Sequence, residues 1–201
     1  VTDEGTVLLK NEKSALPLAA GARVTLFGRA SYNSVYGGDS GNAQIGNLGN
    51  QNINWTFRRG LEEAGFAVND EMWNFYAQRN IAYNADPSAE VAPDQLPMGS
   101  VSGYADAGIV VLSRVTGEGG DAPDGYYELT QTELDLVNAA KEARSKVVVI
   151  INSPSPIAIH ALKEDAGVGA ILQIGGLGAL GTKSVGKILA GEVSPSGKLI
   201  D

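Results

Sequence analysis

Glu118 stands in Gly117-Glu118-Gly119-Gly120, with Arg114, Asp121 and Asp124 close by in sequence. Glycine on both sides lets a backbone bend sharply and brings a carboxyl close to a ligand. An acid in that setting suits proton transfer to and from a reacting oxygen. On local sequence alone, a solvated loop glutamate is an equal alternative. Arg114 is placed to orient a carboxylate or a sugar hydroxyl, or to form a surface ion pair. Gly37-Gly-Asp-Ser-Gly41, earlier in the chain, is also rich in glycine. It has neither GxGxxG spacing nor a following Lys-Ser/Thr helix start, so a shape-forming loop is favoured over a nucleotide site.

Other chemistries are scarce. The chain has no cysteine, which removes disulfides, thiolate metal sites and cysteine nucleophiles. Its single histidine, His160, nearly excludes a multi-histidine metal centre. Ser153 and Ser155 alternate with Pro154 and Pro156 and lack the Gly-x-Ser-x-Gly nucleophile elbow. Trp55, Phe57, Trp73 and Tyr76 have helical spacing and read as core.

The elements that must position Glu118 follow from periodicity. Arg23–Phe27, 107–113, 146–152 and 170–174 read as strands, the last three as near-continuous apolar runs suited to a covered parallel sheet. Helices are expected over 54–64, from an Asp70 N-cap to about Asn80, after the capping box Thr130-Gln-Thr-Glu133, over 157–163, and from Gly175-Gly176 to Gly191. Residues 5–10 read as a short helix and 86–98 as a surface excursion. Strands alternating with helices imply a three-layer α/β/α sandwich with a mostly parallel sheet, formed by residues 1–201 as one domain. Ligands bind such sheets outside the carboxyl ends of the strands. The loops after Phe27 and after Ser113 therefore share one rim.

Composition narrows the partners. At 43% hydrophobic, 201 residues can bury a substantial core. A formal charge of −8 argues against nucleic acid, which needs clustered Lys and Arg. No apolar run approaches the ~18 residues of a membrane span. Val1 at the start and the ending at Ser196-Gly-Lys-Leu-Ile-Asp201 read as an excised piece of a longer protein.

Several segments, in order, resemble the second, α/β sandwich domain of family 3 glycoside hydrolases. They are Glu4-Gly-Thr-Val-Leu-Leu-Lys-Asn11 with Leu16-Pro-Leu18, Val24-Thr-Leu-Phe-Gly-Arg-Ala-Ser-Tyr32, Ser113-Arg-Val-Thr-Gly-Glu-Gly-Gly-Asp121, Tyr127-Glu-Leu-Thr130 and Ser194-Pro-Ser-Gly-Lys-Leu199. The resemblance implies part of a retaining, exo-acting β-glycosidase, most often a β-glucosidase. A TIM-barrel domain of the same parent would supply the Asp nucleophile and most contacts to a β-linked glucoside. Glu118 would be the general acid/base, with Tyr36, Asp39, Ser40 and Arg114 as substrate contacts and no cofactor or metal. Alone, the domain would be inactive. The sequence departs from the family pattern in three places. The loop at Gly37 to Gly41 is one residue shorter, Ile174-Gly-Gly-Leu-Gly178 replaces Pro-Gly-Gln, and Ala122 stands where Arg is common. A non-catalytic sugar-binding or interaction module with a flavodoxin-like fold is the alternative.

Overall fold

The computed structural model describes residues 1–37, 55–117, 121–143 and 146–199. Its strands are β1 (Val7–Asn11), β2 (Arg23–Phe27), β3 (Ala67–Val68), β4 (Ala107–Leu112), β5 (Lys146–Ile151) and β6 (Ala170–Gln173). Its helices are α1 (Thr2–Gly5), α2 (Arg29–Tyr32), α3 (Phe57–Glu63), α4 (Asp70–Arg79), α5 (Gln131–Glu142), α6 (His160–Glu164) and α7 (Gly181–Leu189). The strands form one sheet in the order β1-β6-β5-β4-β2-β3. Neighbours from β3 through β6 run parallel, and β1 is antiparallel to β6 at the edge.

The apolar runs are buried because both faces of the sheet are covered. Every residue of β4 is buried, as is β5 beyond Lys146. Successive side chains alternate between faces. Ile109, Val111, Val148 and Ile150 pack with Phe57 and Leu61 of α3 and Val185 and Leu189 of α7. Val110, Leu112, Val149 and Ile151 pack with Met72 and Tyr76 of α4 and Leu136 and Val137 of α5. The result is the three-layer α/β/α sandwich expected from the alternation of elements. Helices α3 and α7 cross with almost no space between them: a Cβ on Gly60 or Gly186 would strike backbone of the opposing helix.

The capping box at Thr130 forms as the sequence predicts. Glu133 N–H donates to Thr130 Oγ1 at 3.2 Å, and Thr130 N–H donates to Glu133 Oε2 at 2.9 Å. Four expectations are corrected. Residues 5–10 are not a helix. The turn lies earlier, in α1, and Val7 and Leu8 pair with Gln173 and Leu172 across β6. An added antiparallel strand closes an edge that would otherwise expose unpaired backbone groups. The cap of α4 is Asn69, whose Oδ1 accepts N–H from Glu71 and Met72. The helix expected over 157–163 is confined to α6. Pro154 and Pro156 disfavour helical backbone before them, and Ala158 N–H donates instead to Tyr127 O at 2.8 Å. Residues 86–98 are more than a surface excursion, because Val91 and Leu96 join the core and Glu90 is buried.

Candidate active-site rim

The second glycine-rich loop leaves the end of β4, and its base is built from charge. Arg114 is 1% exposed. Its Nη1 and Nη2 donate to Glu133 Oε1 and Oε2 at 2.6 and 2.8 Å, a bidentate pair. Nε donates to Tyr126 O at 2.6 Å, Nη1 to Ser113 O at 2.9 Å and Nη2 to Glu128 O at 2.7 Å. A guanidinium carries five N–H groups, and protein acceptors occupy all of them. Arg114 is thus neither a surface ion pair nor a donor to a sugar hydroxyl. It braces the loop from beneath.

Further bonds tie the outgoing side of the loop. The Tyr126 hydroxyl donates to Val115 O at 2.7 Å and accepts from Val115 N–H at 3.0 Å. Thr116 Oγ1 and Ser155 Oγ lie 2.9 Å apart. Ser153 Oγ donates to Arg114 O at 2.8 Å. Ser153 and Ser155, set aside as nucleophiles from their sequence context, are structural hydroxyls.

The first loop is held differently. It does not leave β2 directly: Gly28, with φ 90°, turns the chain into α2. A Cβ at Gly28 would meet Val111 O at 2.5 Å, so glycine is required by both conformation and space. Beyond α2, Val35 lies against Asn152, which is fully buried at the end of β5. Asn152 Oδ1 accepts Val35 N–H at 2.7 Å, and Nδ2 donates to Val35 O at 2.9 Å and Gly175 O at 2.8 Å. The amide side chain thereby joins the rim segments after β2, β5 and β6. Gly178 N–H donates to Tyr36 O at 2.7 Å. The Tyr36 hydroxyl donates to Trp55 O at 3.1 Å, and so does Thr182 Oγ1 at 2.8 Å. Tyr36 and Trp55 thus lie side by side at the rim. Burial pushes the Tyr36 hydroxyl up from its ordinary pKa, opposed by a hydrogen bond with Ser34.

A second buried cation lies under the same rim. Arg29 donates to the carbonyls of Ala82 and Ala85 at 3.0 and 2.9 Å. The Glu90 carboxylate accepts N–H from Arg29 and Val91. Burial lowers the Arg29 pKa, and the charges of Glu90 and Glu133 oppose that shift. Burial raises the Glu90 pKa, against the N–H groups of Val91 and Arg29 and the Arg29 charge. Two arginines and two glutamates therefore compensate one another where water cannot.

Of the residues singled out in the sequence, Glu118, Asp39 and Ser40 lie outside the described residues. Tyr36 and Arg114 both sit at the strand carboxyl ends, Tyr36 half-buried and Arg114 sealed off. Asn152, Tyr126 and the second role of Glu133 were not anticipated. Asn152 had a signal: a polar residue directly after the apolar run Val147–Ile151, at the ligand-facing end of a central strand. The reach of Tyr126 back to Val115 had none. His160 begins α6 and is exposed. Among the described residues no group of three His, Cys, Asp or Glu is arranged to hold a metal ion, and no helix is long and apolar enough to cross a membrane.

Comparison with known proteins yields consistent matches. The model of the glycosyl hydrolase family 3 C-terminal domain matches residues 6–200. Beta-glucosidase A of Butyrivibrio fibrisolvens is 30% identical over 234 residues, spanning 98% of this chain and 27% of the relative. A beta-glucosidase of Ruminococcus albus is 27% identical, spanning 100% of this chain and 22% of the relative. Among solved structures, beta-glucosidase 3B of Thermotoga neapolitana in complex with alpha-D-glucose superposes with a TM-score of 0.79 at 26% identity, covering 98% of this chain and 29% of that one. A beta-glucosidase of Paenibacillus barengoltzii gives 0.80 at 27% identity, covering 100% and 23%. The chain thus spans about a quarter of the length of the curated relatives it matches.

Proposed function

The chain belongs to the C-terminal domain family of glycosyl hydrolase family 3, and from that premise we propose that it supplies the general acid/base of a retaining, exo-acting β-glucosidase. The acid/base is Glu118. A TIM-barrel domain elsewhere in the parent protein supplies the Asp nucleophile and most sugar contacts, and the substrate is a β-linked glucoside. The observation that carries this reading is that Glu118 follows central strand β4 by six positions in the sequence, and that the described residues on either side of it are braced by a buried Arg114–Glu133 pair. The carboxyl ends of the strands are where α/β domains bind ligands.

Retention needs two carboxyl groups about 5–5.5 Å apart. In the first step the nucleophile's oxygen bonds to the anomeric carbon as the glycosidic C–O bond breaks. The Glu118 proton passes to the leaving oxygen. In the second step Glu118, now a carboxylate, takes a proton from water as the water oxygen displaces the nucleophile. The acid must be protonated at the outset. Removing a carboxylic acid from water favours its protonated form, which is the form this step requires. Asp39 and Ser40 are proposed as contacts to the sugar from the first loop, with Tyr36 at its base. Arg114 keeps a positioning role only.

The test is Glu118→Ala in the full-length parent. Activity on an unactivated alkyl glucoside is expected to fall by about 10²–10⁴-fold. Azide is expected to restore turnover of an activated aryl glucoside and to give the β-glycosyl azide. Wild-type activity of the variant on alkyl glucosides would dispose of the assignment.

A further inference from the structure

We propose that Tyr126 is a positioning residue for the acid/base, its hydroxyl fastening the outgoing stem of the loop over 115–125 to the returning one. The proposal rests on the assignment of Glu118 above. A general acid works only within hydrogen-bond reach of its oxygen, about 2.6–3.2 Å. A Gly-Glu-Gly-Gly sequence cannot enforce that distance, because glycine backbone is the least restricted of any residue. Precision must come from the stems.

The stems are cross-linked at two successive residues. Arg114 Nε donates to Tyr126 O at 2.6 Å, and the Tyr126 hydroxyl turns back to hold both the N–H and the C=O of Val115. One phenol group therefore saturates the whole peptide functionality of a residue three positions before Glu118. The outgoing stem is held one residue further on by the Thr116–Ser155 hydroxyl contact. On the returning side, the bidentate Arg114–Glu133 pair and the bond from Arg114 to Glu128 O set the height of residues 126–128. The Tyr126 ring packs edge-on to Tyr127, with centroids 5.6 Å apart at 82°. A side chain serving only to fill space would need the ring alone. Here the ring faces the Arg114 guanidinium at 5.9 Å, and the hydroxyl adds two hydrogen bonds to Val115 of the outgoing stem.

Tyr126 acts through Val115 and touches no reacting atom, so its loss should weaken proton donation more than sugar binding. In the full-length parent, Tyr126→Phe keeps the ring and deletes both bonds. The readout is kcat/KM across a series of aryl and alkyl β-glucosides of increasing leaving-group basicity, with Glu118→Ala as reference. A departing dinitrophenolate needs no proton, whereas an alkoxide does. Tyr126→Phe is expected to lose about 10-fold or more on alkyl glucosides and less than about 2-fold on the dinitrophenyl substrate. A loss equal at every aglycone, or none at all, overturns the proposal. A flat profile for Glu118→Ala would instead bring down the acid/base assignment, and this proposal with it. If Tyr126→Phe does not yield folded enzyme, Ser155→Ala, which removes only the hydroxyl facing Thr116, must show the same tilt at smaller size. A flat profile there overturns the proposal equally.

Discussion

The two rim loops follow neighbouring parallel strands, the first after β2 and α2 and the second after β4, yet the residues nearest each loop are fastened by different chemistry. The loop after β4 rests on a buried ion pair, Arg114–Glu133, with side-chain exposures of 0% and 3%. The loop after β2 rests on a neutral amide, Asn152, and on backbone bonds from Leu177 and Gly178. A bidentate guanidinium–carboxylate pair fixes direction as well as distance. It suits a stem that must deliver one group to one place. An amide between two backbone segments satisfies donors and acceptors without adding charge there, and the charge on this side, Arg29 with Glu90, lies further back, at the start of α2. In the proposed reading the first loop contacts uncharged sugar hydroxyls and the second delivers a proton, and the anchors match those tasks. Ser153, which joins Asn152 in sequence and donates to Arg114 O, is the direct link between the two anchors.

The comparison can be broken at its strongest point first. Glu133→Ala strands the buried Arg114 charge and removes half of the α5 capping box. Denaturant unfolding should show a loss of about 3–5 kcal/mol. Asn152→Ala leaves Val35 N–H, Val35 O and Gly175 O without their side-chain partner and should cost about 2–3 kcal/mol. Hydrogen exchange sharpens the contrast. In Asn152→Ala the Val35 amide should lose protection while the Val115 amide keeps it. Equal loss at both would mean that the Ser153 link makes the two loops one unit. Tyr126→Phe should do the reverse, exposing Val115 and sparing Val35, for about 1 kcal/mol of stability.

The smallest effect lies away from both loops. Asp165 Oδ2 accepts from Lys141 Nζ at 2.6 Å, and Oδ1 accepts Gly167 N–H at 2.7 Å. The Lys141 hydrogen bond holds the Asp165 carboxyl below its ordinary pKa, aided by the Gly167 N–H. A depressed folded-state pKa contributes stability above the ordinary carboxylate range, and that contribution is lost as pH falls through the depressed value. Asp165→Asn should therefore flatten the acid side of the stability profile, measured by unfolding from pH 7 downward, and leave exchange in both rim loops unchanged. Glu90 has the opposite sign. Its raised pKa makes stability decline as pH rises from the ordinary glutamate range through the raised value.

Much of the fold was legible because local signals agreed with tertiary demands. The apolar runs at 107–112 and 146–151 became central strands because only a doubly covered sheet buries both of their faces. Thr130 and Glu133 announced the start of α5 three residues apart, since a capping box closes within one turn. The misreadings fell where a distant partner outweighed local preference. Val7 and Leu8 were drawn onto the edge of β6, and residues 157–159 were held off helix by two prolines and the Tyr127 carbonyl.

The site divides along the same line. By itself the sequence determined the composition of the loop, a carboxylic acid framed by glycines after a central strand, and the family pattern from which a role for that acid is proposed. Type and spacing suffice for this, because glycine freedom and strand position are properties of short segments. Only the tertiary structure decided what Arg114 does. Guanidinium donors reach acceptors wherever the fold brings them, and here Glu133, nineteen positions along the chain, meets Arg114 in a space closed to water. The same holds for Asn152 and Val35, separated by 117 residues. Such contacts span the sheet, and their partners become neighbours only once the strands have paired.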